Sequence, residues 1–189
     1  MYQFCVSGAA RGETVEEGQE LAKRIGQALA KAGHSLLTGA TVGLPNYAAI
    51  GYKEAGGLMS VGISPASSKV EHVLKYCLPT EHYDTIIYSG LHYVGRDSLL
   101  ITSSDAVISI GGRIGTLHEF TISMESDTPI GFLHGAGGIG DEVKNLIALA
   151  KPLRRNAFIT FNDSPEKLIK MLSEHLDKIH SENLNIYKS

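Results

Sequence analysis

Short apolar runs alternate with longer amphipathic ones along nearly the whole chain, and that alternation restricts the fold more than any other feature. Tyr2 to Ser7, His34 to Thr38, Leu58 to Ile63, Asp84 to Tyr88, Ala106 to Ile110, Pro129 to Leu133 and Ala157 to Phe161 read as strands. Between them, Thr14 to Lys31, Leu44 to Ala55, Gly95 to Ser104, Ile114 to Glu125 and Asp141 to Ala150 read as helices. In the first helix Leu21, Ile25, Ala28 and Leu29 recur at helical spacing, with Glu16 and Glu17 in the first turn. Pro45 opens the second helix and Gly56-Gly57 closes it. Ser164-Pro165-Glu166-Lys167 starts a terminal helix as cap, first residue and acidic turn, striped by Leu168, Met171, Leu172, His175, Leu176 and Ile179. The polar tail after Ser181 is expected to fray. Ala66 to Tyr83 reads as loop with a short helix.

Strands that alternate with helices bury both faces of a sheet and need crossover connections. The expected fold is α/β: a doubly wound, mostly parallel sheet with helices on both faces. No repeat, linker or composition break divides the 189 residues, so one domain over 1–189 is expected. Such sheets bind ligands beyond the carboxyl ends of their strands.

The 21 glycines gather at those ends. Ser7-Gly8-Ala9-Ala10-Arg11-Gly12 follows the first strand, and Thr38-Gly39-Ala40-Thr41-Val42-Gly43 the second. Ser89-Gly90 follows the fourth, with Arg96 on the next helix. Gly111-Gly112-Arg113-Ile114-Gly115-Thr116-Leu117-His118-Glu119 follows the fifth. Glycine lets backbone N–H groups turn towards an anion, and a helix N-terminus adds positive partial charge. The loop at 111–116 combines both with the Thr116 hydroxyl, which makes it a candidate phosphate cradle. Each loop taken alone is better explained as a tight turn, whereas the four together favour a shared binding cleft. Glu119 shares a helix face with Thr116, where the helix dipole favours a carboxylate with or without chemistry. Arg96 is expected at the mouth of the cleft, placed to clamp a phosphate or a developing charge.

Composition narrows the partners. Seventeen Lys+Arg against twenty Asp+Glu give a net charge of −3, the opposite of the excess that a phosphate-rich nucleic-acid partner calls for. No apolar run reaches the length of a membrane span, and the N-terminus lacks a signal peptide's basic start, so a cytoplasmic protein is expected. Cys5 and Cys77 cannot form a disulfide framework and read as small buried hydrophobes.

The loop after the fifth strand resembles the P-G-G-x-G-T-x-x-E signature of the LOG family, phosphoribohydrolases that act on cytokinin riboside 5′-monophosphates and were long mislabelled lysine decarboxylases. Thr116 and Glu119 match the signature Thr and catalytic Glu, and Arg96 matches the catalytic Arg, at the family's separation from the signature. Asp105-Ala106, the Thr38 to Gly57 stretch and Phe4-Cys5-Val6-Ser7-Gly8 match as well. The departures are Gly111 for the signature Pro, Arg113 for its second Gly and Ile114 for the following aromatic. Thr38-Gly39-Ala40-Thr41-Val42-Gly43-Leu44-Pro45 is more similar to a divergent bacterial branch of this Rossmann-like superfamily, which also contains molybdenum-cofactor carriers that bind without turnover.

The resemblance implies hydrolysis of the N-glycosidic bond of a nucleoside 5′-monophosphate, or the non-catalytic carriage of a phosphate-bearing nucleotide or pterin. It implies Arg96 and Glu119 as catalytic residues. Ser7, Gly8, Gly39, Gly43, Gly111, Gly112, Arg113, Gly115 and Thr116 would bind the phosphate and nucleotide. It also implies a homodimer whose subunits complete the cleft together, which suits the several apolar sides of the helix carrying Leu117, Phe120, Ile122 and Met124.

Gly135-Ala136-Gly137-Gly138-Ile139-Gly140 fits G-x-G-x-x-G but comes too late for a dinucleotide fingerprint and is expected to be a mobile rim loop. Its rival reading is a small oxidoreductase. His92 and His118 are placed either at the cleft or in ordinary structural roles. Without H-E-x-x-H or a Cys-His cluster, neither a metal site nor a cofactor is expected.

Overall fold

A computed structural model describes residues 1–149 and 158–186. Its strands are β1 (Gln3–Gly8), β2 (Ser35–Thr38), β3 (Ser60–Ser64), β4 (Thr85–Tyr88), β5 (Ala106–Ile110), β6 (Ile130–Leu133) and β7 (Ile159–Asn162). Six α-helices intervene or follow: α1 (Glu13–Lys31), α2 (Leu44–Glu54), α3 (His92–Thr102), α4 (Ile114–Glu125), α5 (Ile139–Leu149) and α6 (Pro165–Ile186). All pairings are parallel, in the order β4-β3-β2-β1-β5-β6-β7. The chain winds outward from β1 to β4, returns to place β5 against β1, and winds outward again. The order therefore reverses between β1 and β5, where a crevice opens at the strands' carboxyl ends.

Alternation along the strands builds a core on each side of the sheet. Phe4, Val6, Leu36, Ile108 and Ile110 pack under α1, α2 and α6. Cys5, Leu37, Val107 and Phe132 pack on the other side with Leu100 of α3, Phe120 of α4 and Val143 of α5. Ser7 and Ser109 lie side by side in the β1–β5 register, on this second side with Cys5 and Val107.

Several boundaries differ from the sequence expectation. Helix α3 begins at His92 rather than Gly95. Helix α5 begins at Ile139 rather than Asp141, because the Ile139 N–H donates to the Gly112 carbonyl and anchors the helix start. The terminal helix extends to Ile186, through a stretch with neither Gly nor Pro at 181–186, and residues 187–189 lie outside the described residues. Ala150 and Ala157, expected at the ends of a helix and a strand, lie outside the described residues. The stretch 66–83 contains one π-helical turn, Glu71–Lys75.

Of the two cysteines, Cys5 is fully buried, and burial raises its thiol pKa well above the usual range. Cys77 corrects the expectation. It is exposed and sits at φ 53° just beyond the π-helical turn, in a left-handed conformation outside any packed strand or helix. Both are unpaired. No described helix is long and apolar enough to cross a membrane.

Candidate functional site

A cleft of about 350 Å³ lies at the β1–β5 switch point. Its lining includes Gly8, Arg11, Gly39, Tyr93, Arg96, Asp97, Arg113, Gly115, Thr116 and Glu119. Arg96, Asp97 and Thr116 are buried and form its deeper part, whereas Arg11, Arg113 and Gly115 are exposed and form its rim.

The segment 111–116, the expected phosphate cradle, leads into the start of α4. The first hydrogen bond of α4 runs from the Leu117 N–H to the Arg113 carbonyl. The N–H groups of Ile114, Gly115 and Thr116 therefore lack helical partners, as at any helix N-terminus. Gly115 and Thr116 line the cleft. Gly111 and Gly112 lie behind this lining, buried and at positive φ, and turn the chain into the helix. The glycine run at 135–140 braces them: a Cβ at Gly138 would overlap the Gly112 carbonyl, and Ala136 is buried. The run lies outside the cleft lining, against the back of the 111–112 turn, rather than on the rim.

Arg96 differs most from its expected place. It lies in the floor of the cleft, only 4% exposed, rather than at the mouth. Its Nη1 donates to the Gly39 and Ile63 carbonyls, the latter at 2.9 Å, and its Nε donates to Asp97 Oδ1 at 3.0 Å. Nη2 has no protein hydrogen-bond partner among the described residues. Gly39 has a steric reason to be glycine, because a Cβ there would overlap the guanidinium.

Asp97 is the residue that sequence reasoning missed. Its carboxylate joins Arg96 to His118, whose Nδ1 lies 3.0 Å from Asp97 Oδ2. The available signal was an acidic residue directly after the Arg, on a helix otherwise short of charge. Buried carboxylates are normally paired, and here the pairing is double. His118 therefore belongs to the cleft's charge network. His92 does not: it bonds the Tyr76 hydroxyl at 2.8 Å, outside the lining.

Glu119 projects from the second turn of α4 towards β1, where the Ser7 hydroxyl donates to its Oε2. Ser7 thus stands behind the cleft as a partner of Glu119. Burial and the negative charge of Asp97 push the Glu119 carboxyl up to about 7, against the opposing effects of Ser7, Arg96 and His118. Near neutral pH this group is present in both protonation states, as an acid–base residue requires. Gly8 lines the cleft, while Gly43 lies outside the lining and caps α2 against the Ala9-Ala10 backbone.

The arrangement has relatives. An uncharacterized protein of Archaeoglobus fulgidus is 34% identical over 125 residues, covering 66% of this chain and 75% of its own. The crystal structure of TM1055 superposes with a TM-score of 0.80 at 26% identity, covering 92% of this chain and 99% of its own. The molybdenum cofactor binding protein of Rippkaea orientalis superposes at 0.70 with 25% identity, over 93% of this chain and 97% of its own. The Rossmann-like fold is common to these structures, and a family profile matches residues 1–169, which contain all five glycine-rich segments and every residue of the cleft. This chain belongs to the SLOG cluster4 family, a divergent branch of the LOG-like superfamily.

Proposed function

We propose that the cleft binds a nucleoside 5′-monophosphate and hydrolyses its N-glycosidic bond, releasing free base and ribose 5-phosphate. One observation carries this reading: the Glu119 carboxyl, which burial pushes up to about 7, shares a cleft with N–H groups of a helix N-terminus that lack helical partners. The 5′-phosphate would sit on Gly115 and Thr116, where donors and helix dipole favour an anion. The base leaves with the bonding electrons, and the sugar carbon becomes cationic, as in glycoside cleavage generally. Ionised Glu119 stabilises that cation and takes a proton from the water that adds to it, while the departing base nitrogen takes up a proton from solvent to become the free base. Arg96 holds the floor through Gly39, Ile63 and Asp97 and offers Nη2 to the substrate.

A second reading is a non-catalytic carrier of a nucleotide or pterin phosphate. The likeness to the Rippkaea orientalis protein favours it, as does Arg113 in place of the signature glycine. Both readings require phosphate recognition, which a thermal shift tests. AMP at 100 times its dissociation constant should stabilise the protein by about 2.7 kcal/mol, and adenosine at the same concentration far less. Equal shifts would contradict the phosphate cradle.

The reading includes a cytoplasmic location, consistent with two unpaired cysteines. It also includes a homodimer. Tyr93, Val94 and Leu99 of α3 and Ile114 of α4 are exposed apolar side chains, and Tyr93 lines the cleft itself. A second subunit on this side would cover them. Light scattering at micromolar protein should return twice the chain mass, and the monomer mass would overturn the dimer.

A further inference from the structure

We propose that Arg11 and Arg113 form a second anion site at the mouth of the cleft, so that a nucleotide carrying a second, linked phosphate binds there more tightly than the monophosphate. The inference rests on the nucleotide reading and adds its substrate class.

The cleft's charges divide by depth. In the floor, Asp97 is committed to Arg96 and His118, and Glu119 accepts from Ser7. At the rim the charged groups in the lining are Arg11 and Arg113, both exposed. Neither has a carboxylate within ion-pair distance among the described residues. Glu13 and Glu16, in the nearby first turn of α1, are exposed and engage neither arginine. Two unpaired cations at one edge of a cleft run against the chain's net charge of −3. An anion bound at a rim lined by two cations is attracted by both.

Arg113 is also fixed in place. Its Nη2 donates to the Arg11 carbonyl at 3.0 Å, which ties the rim of one glycine loop to the other. The guanidinium lies over Gly12, where a Cβ would come within 3.1 Å of Nη2. That bond uses only part of its donor fork. The remaining N–H groups stay available in the lining that Arg113 shares with Gly115 and Thr116. One phosphate engages the backbone donors of Gly115 and Thr116. A second phosphate attached to it reaches past them to the rim, where guanidinium groups match phosphate oxygens two at a time.

Calorimetric titration at fixed ionic strength tests this with AMP, ADP and ADP-ribose. ADP is expected to bind at least tenfold tighter than AMP, about 1.4 kcal/mol. Arg113→Gly should cost ADP at least fivefold more affinity than it costs AMP, and Arg11→Ala should shift the ratio the same way. ADP-ribose binding as tightly as ADP would identify a bridging pyrophosphate; ADP-ribose much weaker than ADP would identify a terminal one. Either supports the second anion site. AMP and ADP binding equally to the wild type, or an ADP preference unchanged in both variants, would overturn it while leaving the nucleotide reading intact. Failure of all three to bind would overturn both.

Discussion

Glu119→Gln is expected to reduce base release by a factor of about 100 or more, roughly 2.7 kcal/mol, while ground-state affinity for the monophosphate changes little. Glutamine keeps the size and the ability to accept from Ser7 but cannot carry negative charge. A group that acts only on a cationic transition state should show in kcat and hardly in binding. The same substitution has a signed effect on stability. The folded-state pKa of Glu119, about 7, lies above its ordinary value of 4.5. The native state therefore holds more protons than the unfolded state between those values, and stability falls as pH rises through that window. The variant has no such carboxyl. Relative to wild type it should gain about 1–2 kcal/mol on going from pH 4 to pH 8, a figure reduced for the carboxylate's partial exposure to the cleft. Denaturation at both pH values checks the sign, and an equal difference at the two would contradict the raised pKa. If Glu119 only complements its helix dipole, base release would be unaffected.

Arg96→Ala should be the most destabilising change in the cleft. It removes the 3.0 Å ion pair to Asp97, whose side chain is only 9% exposed, and leaves that carboxylate with His118 alone. Two backbone carbonyls, Gly39 and Ile63, lose their donor as well. Breaking a buried pair from one side typically costs about 3–5 kcal/mol, a large part of the 5–15 kcal/mol that holds a typical domain folded. Adding Asp97→Asn should recover part of the loss, because the stranded charge is then gone. Without Arg96 the Glu119 pKa should also rise, since the guanidinium lowers it. Urea denaturation of the single and double variants measures this. A single-variant cost below about 1 kcal/mol would show that Arg96 is not structurally committed.

The parts of this architecture legible in the sequence were those with local causes. Apolar alternation located the strands, and glycines at strand ends located the loops that meet at the switch point. Gly115, Thr116, Arg113, Arg96 and Glu119 all reach one cleft for that reason. The rest depends on pairings across long separations. Ser7 meets Glu119 across 112 positions and Arg96 meets Gly39 across 57, and no periodicity encodes either. The depth of Arg96 could not be read because a single arginine after a glycine looks the same at a rim or in a floor. Asp97 was hidden for a related reason: its importance lies in joining two residues from different helices. Cys77 was misplaced because apolar neighbours in sequence, Tyr76 and Leu78, suggested burial where the backbone turns outward.

The most direct test incubates the wild-type protein with AMP and the other nucleoside 5′-monophosphates between pH 5 and pH 9 and separates the products by chromatography. The proposed chemistry predicts free base and ribose 5-phosphate in equal amounts from at least one of them. The rate should rise as pH passes through about 7, because the reaction uses the ionised form of Glu119. Saturable binding of a monophosphate with no free base released from any of them, across the whole pH range, would contradict hydrolysis and leave the cleft a carrier site.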